Sequence, residues 1–119
     1  MPRTILIVDD DPPTQKLLDA VMRRSGLDTV IAPSGREAID IIETRSDLGC
    51  IILDLMMPTV DGAAVIAHLT ATGRLIPVVV CTAIGPRQTP ELDPTLVRAV
   101  VRKPFDIEQL MSVVTAILR

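Results

Sequence analysis

The chain is predicted to fold as a doubly wound α/β domain: a five-stranded parallel sheet with helices on both faces. Short apolar runs alternate along it with longer amphipathic segments. That alternation calls for strand–helix–strand units with right-handed crossovers. The runs are also apolar throughout rather than at every second position, the mark of strands covered on both sides. At 119 residues the chain suits one domain and can bury a core without staples.

Each element follows in order. Ile5, Leu6, Ile7 and Val8 form the first strand, which runs into acids. Residues 14–25 place Leu17, Leu18, Val21 and Met22 on one helical face, and Gly26 supplies the stop. Residues 29–32 are the second strand. Ser34 caps a second helix over 36–45, with Ala38, Ile39, Ile41 and Ile42 inward. Residues 50–53 are the third strand, ending at Asp54, and Asp61-Gly62 can cap a helix running to Thr72. Residues 78–81 are the fourth strand, ending at Thr82. Residues 99–101 are the fifth, ending before Lys103-Pro104. Asp106, with Gln109 three residues on, opens the last helix over 107–118. Its apolar face is Leu110, Val113, Val114, Ile117 and Leu118. Segment 85–94 holds Pro86, Pro90 and Pro94, so a short or irregular helix is expected there.

Composition removes several function classes. One Phe and no Tyr or Trp leave an aliphatic core and no stacking platform for single-stranded nucleic acid or a flavin. A net charge of −3 without a basic patch argues against direct nucleic-acid binding. Cys50 and Cys81 sit in strand-like runs and read as buried, reduced thiols. If Asp54 and Thr82 are level, they are offset by three residues, about 10 Å, too far for a disulfide. No Cys/His spacing suggests zinc. There is no leader-like N-terminus and no apolar run of about 18 residues, so a cytoplasmic protein with no membrane span is expected.

The chemistry gathers at the carboxyl ends of the strands, where doubly wound sheets bind ligands. Strand one delivers Asp9, Asp10 and Asp11, strand three Asp54, strand four Thr82, and strand five Lys103. Carboxylates about 4 Å apart repel by roughly 4 kcal/mol per pair at an effective dielectric of 20. Such a cluster needs a cation or must take up protons. Its ligands are all oxygens, which suits Mg²⁺ better than Zn²⁺. A magnesium ion held by few carboxylates ordinarily meets a phosphate, and Lys103 adds a second positive charge.

Four motifs carry a resemblance: ILIVDDD at 5–11, LDLMMPTVDG at 53–62, VVVCTA at 78–83 and VRKPF at 101–105. In sequence and spacing they resemble the receiver domain of two-component response regulators, over nearly the whole chain. The resemblance implies a flavodoxin-like strand order 2-1-3-4-5 and a single receiver domain spanning 1–119. It implies that Asp54 is the phosphoacceptor and forms an acyl phosphate. Asp10 would be a direct Mg²⁺ ligand and Asp9 its partner, mostly through water. Asp54 and the Met56 carbonyl would complete the protein ligands. Lys103 would pair with one phosphoryl oxygen, Thr82 would hydrogen-bond another, and the Lys103-Pro104 bond would be cis. The implied partners are a sensor histidine kinase or histidine phosphotransfer protein and a downstream output domain or protein. The chain would catalyse only its own phosphorylation and dephosphorylation, and its oligomeric state is left open.

The chain departs from the family pattern at Val100, where an aromatic residue is usual; it reads as a plain strand residue. The prolines of 85–94 lead to the expectation that the usual symmetric dimer through the neighbouring face does not form. Bulky Met56 and Ile84 beside the path of attacking water lead to the expectation of a long-lived acyl phosphate. His68, alone of its kind, reads as a helix-face residue rather than a phosphohistidine. Three other readings compete with this one. An aspartyl phosphohydrolase would want an acid at position 56. A flavodoxin-type cofactor binder would not place three aspartates where a phosphate loop belongs. A degenerate receiver acting as a protein–protein adaptor, weakly coupled to phosphorylation, is the alternative that Val100 leaves open.

Overall fold

The structure, a computed structural model, describes residues 3–57, 62–83 and 92–119. Pro58, Asp61, Ile84, Pro86 and Pro90 lie outside the described residues, and with them most of segment 85–94. Among the described residues, five strands and four helices follow one another: β1 (Thr4–Val8), α1 (Pro12–Arg24), β2 (Asp28–Ala32), α2 (Gly35–Thr44), β3 (Leu48–Leu53), α3 (Gly62–Thr72), β4 (Val78–Thr82), β5 (Val97–Arg102) and α4 (Ile107–Leu118). All strands are parallel, in the order β2-β1-β3-β4-β5. The chain reverses direction across the sheet between β1 and β3, which sets the ligand crevice at their carboxyl ends.

The continuous apolar runs are explained by two cores, one on each face. Leu6, Val8, Ile51, Leu53, Val78 and Val80 pack with Ala38, Ile42, Val65 and Leu69 of α2 and α3. Ile5, Ile7, Cys50, Ile52, Val79 and Cys81 pack with Leu18 and Met22 of α1 and Leu110 and Val114 of α4. Alternate residues of one strand thus feed opposite cores. No helix among the described residues is long and apolar enough to cross a membrane.

Some boundaries differ from the sequence reading. Helix α1 begins at Pro12, because Asp11 is its N-cap and the two prolines occupy positions whose N–H groups have no helical acceptor. Asp11 accepts from the Thr14 amide, so its side chain caps the helix. Leu17, expected inward, is 43% exposed, and the buried stripe of α1 is Leu18 and Met22. Strand β3 starts two residues earlier than expected, and β5 runs from Val97 to Arg102. Val100 lies in β5 opposite Val80, at a half-exposed edge position.

The β3–β4 register also corrects an expectation. Ile51 faces Val78 and Leu53 faces Val80, so Asp54 is level with Cys81, and Thr82 stands one residue higher. Cys50 and Cys81 are therefore offset by four residues rather than three, about 13 Å. Both are free and buried. Burial pushes the Cys50 thiol up to about 12 and the Cys81 thiol up to about 11, so both stay protonated and unreactive.

Candidate functional site: an acidic crevice with a shared lysine

Strand β1 carries Asp9 out of the core and leaves it buried, at 2% exposure. Every polar atom of Asp9 has a partner. Its amide donates to the Ala32 carbonyl at 3.2 Å. Oδ1 accepts from the Asp11 amide at 2.9 Å and Oδ2 from Lys103 Nζ at 2.8 Å. Its carbonyl accepts from Gln15 Nε2 at 2.5 Å. Asp10, next in the chain, is exposed, and its carboxylate has no hydrogen bond among the described residues.

Strand β3 delivers Asp54 to the same crevice. Its amide donates to the Val8 carbonyl at 2.9 Å, extending the β1–β3 ladder past the strand end. Asp54 Oδ1 accepts from the Met56 amide at 3.0 Å. Oδ2 accepts from Lys103 Nζ at 3.3 Å. The loop is held close by α3: a Cβ on Gly62 would stand 2.8 Å from the Leu55 Cα, so only glycine lets the helix start there.

Lys103 completes the group from the end of β5. Its amide donates to the carbonyl of Thr82, the buried last residue of β4, and its bond to Pro104 is cis. The ammonium lies between Asp9 and Asp54. Burial draws its pKa down, but the hydrogen bond to Asp9 and the charges of Asp54 and Asp9 outweigh this and raise it. Lys103 is therefore charged across the physiological range. Burial also raises the pKa of Asp54, and the nearby charge of Asp9 adds to that. The Met56 amide and Lys103 only partly offset the two.

One carboxylate oxygen each of Asp9, Asp10 and Asp54 lies within 4.8 Å of the others. The Lys103 ammonium alone does not neutralise three carboxylates, and the charge of Asp9 adds to the burial that raises the Asp54 pKa. The donors are hard oxygens, and Asp10 is open to solvent. A small divalent cation that keeps part of its water shell fits such a set, whereas a soft or nitrogen-seeking metal does not.

The structure thus brings together Asp9, Asp10, Asp54 and Lys103, with Met56 and Thr82 joined to them through backbone hydrogen bonds. His68 lies on α3, half-buried, with Nε2 3.5 Å from a Glu43 oxygen. Sequence reasoning passed over Gln15. Its only signal was a polar side chain in the first turn of a helix that starts beside the acids.

The profile of the response regulator receiver domain family matches residues 5–115. Response regulator MprA of Mycolicibacterium vanbaalenii is 36% identical over 122 residues, covering 100% of this chain and 52% of that protein. The chain spans about half the length of the curated relatives it matches. Among solved structures, the receiver domain of the Francisella response regulator 1452 superposes with a TM-score of 0.88 at 26% identity, covering 98% of this chain and 96% of that one. TrrA from Thermotoga maritima, solved in complex with Mg(2+)-BeF, superposes with a TM-score of 0.86 at 25% identity, covering 98% and 99%.

Proposed function

Because this chain belongs to the receiver domain family of two-component response regulators, we propose that it signals through phosphorylation of Asp54. A sensor histidine kinase or histidine phosphotransfer protein supplies the phosphoryl group in the cytoplasm, and an output domain or protein reads the result. Residues 1–119 form the receiver unit.

The single observation behind this reading is the lysine shared by Asp9 and Asp54. Asp54 Oδ attacks phosphorus, the new O–P bond forms, and the P–N bond of the phosphohistidine breaks, with the imidazole leaving. Phosphoryl transfer asks for positioning and charge neutralisation more than covalent chemistry. Lys103 lies within reach of both carboxylates, so its ammonium can follow the charge from Asp54 onto a phosphoryl oxygen. The Thr82 hydroxyl donates to another. Asp9, Asp10, Asp54 and the Met56 carbonyl would hold Mg²⁺, which when bound supplies the remaining neutralising charge. The donor chemistry of the crevice supports magnesium, as does the complex of TrrA with Mg(2+)-BeF.

Incubation with a small phosphodonor and Mg²⁺, followed by intact-mass measurement, tests the reading. An adduct of ~80 Da is expected on wild type and absent from Asp54→Asn. The same adduct on Asp54→Asn, or none on wild type, overturns it.

A further inference from the structure

Asp9 and Asp10 are adjacent acids with opposite treatment. The Asp9 carboxylate is fully bonded and buried, while that of Asp10 is exposed and carries no bond among the described residues. A carboxylate in that state is held in place only by the backbone beneath it. The peptide unit joining the two residues consists of the Asp9 carbonyl and the Asp10 amide, and one side chain grips it: Gln15 Nε2 donates to the Asp9 carbonyl at 2.5 Å. Gln15 is itself anchored, since its amide donates to the Asp11 carbonyl at 3.0 Å in the first turn of α1. A rigid helix thus reaches back six residues and pins the peptide plane from which Asp10 projects.

We infer that Gln15 is a positioning residue for divalent-cation binding, acting through the Asp9–Asp10 peptide and touching neither metal nor phosphoryl group. The inference rests on the magnesium reading above. Partners one bond behind the ligands set metal affinity by fixing where the ligands start, and their loss typically weakens binding by about 10–100-fold. Because Gln15 acts on backbone rather than on the carboxylate, the effect belongs at the lower end, roughly tenfold.

Gln15→Met keeps the length and helix propensity of the side chain and removes the donor; Gln15→Ala removes the donor with minimal bulk. Magnesium chloride titrated calorimetrically into the full chain should give dissociation constants about tenfold higher for both variants than for wild type. Melting temperatures without metal should stay within a few degrees of wild type, as for loss of one half-buried hydrogen bond. In the metal-free state the Asp10 amide resonance, which reports on its own peptide plane, should move in both variants. Equal affinities with wild type overturn the inference and leave the site reading intact. So does a weakened affinity with an unmoved Asp10 amide, which would mark a general structural loss. A wild-type chain that takes up no magnesium overturns the site reading itself.

Discussion

Asp47 and Asp54 flank the same strand, one just before β3 and one just after it, yet their surroundings push them in opposite directions. At the amino-terminal rim the Arg45 guanidinium holds Asp47 through two nitrogens, at 2.9 and 2.6 Å. The Thr4 hydroxyl adds a third bond at 3.0 Å. That carboxyl is held well below its ordinary range, chiefly by the Arg45 hydrogen bonds. Arg74 completes the rim by donating to the carbonyls of Ile42 and Arg45 past the end of α2. At the carboxyl-terminal rim Asp54 shares one lysine with Asp9, and its carboxyl is held above the ordinary range, chiefly by burial. Charges are matched at one end of the sheet. They are left in deficit at the other, where the proposed divalent cation would supply the missing positive charge. A ligand that binds such a site adds its binding free energy to the stability of the fold.

The largest effect should come from removing the lysine that Asp9 and Asp54 share. Lys103→Met leaves the Asp9 carboxylate, 3% exposed, without its counter-charge. Breaking a buried pair from one side is more costly than replacing both partners. Urea unfolding without metal should show a loss of about 3 kcal/mol, part of which Mg²⁺ restores. A loss below about 1 kcal/mol, the range of an exposed pair, would mean that the two rims do not differ as described.

A smaller change of opposite sign is expected at Asp54. A carboxyl whose folded pKa is raised contributes stability below its unfolded value near 4, and that contribution is lost as pH rises through the folded value. Asp54→Asn removes the charge that the crevice disfavours. At pH 7, without metal, it should stabilise the chain by roughly 1 kcal/mol, chiefly because a charge that burial disfavours is gone, less the lost bond to Lys103. The gain should fade as pH falls toward about 4. Unfolding curves at the two pH values check it, and a destabilised Asp54→Asn at pH 7 would remove the contrast with Asp47.

The acidic rim was more legible in the sequence than the backbone that holds it. Asp9, Asp10, Asp54, Thr82 and Lys103 each lie at or within two residues of the end of an apolar run, and a parallel sheet brings strand ends together whatever the details of pairing. The details were less visible. The β3–β4 register differs by one residue from the reading that set Asp54 level with Thr82, because two wholly apolar strands carry no alternation to fix their alignment. The start of α1 was read two residues late, since Pro12 and Pro13 look like breakers unless Asp11 is seen to cap them. Gln15 escaped notice because its partner is a carbonyl, and a backbone acceptor leaves no trace in residue identity. The matched rim was missed for a related reason: Arg45, Asp47 and Thr4 meet only once β1 and β3 are paired.

The smallest effect belongs to that matched rim, and its sign is what makes the comparison sharp. Asp47 and Arg45 are both substantially exposed, and exposed pairs contribute little even in good geometry. A carboxyl with a depressed folded pKa contributes stability above its unfolded value and loses it as pH falls through the folded one. Asp47→Asn keeps an acceptor for Thr4 but gives up the charge that Arg45 holds. Its melting temperature should therefore fall slightly below wild type at pH 7, and the gap should close in acid and shrink in high salt. Asp54→Asn should stand above wild type at pH 7 and also converge in acid. Two aspartates on one strand, changed to the same residue, should bracket the wild-type curve from opposite sides. If both variants fall on the same side at neutral pH, the difference between the rims is not one of charge balance.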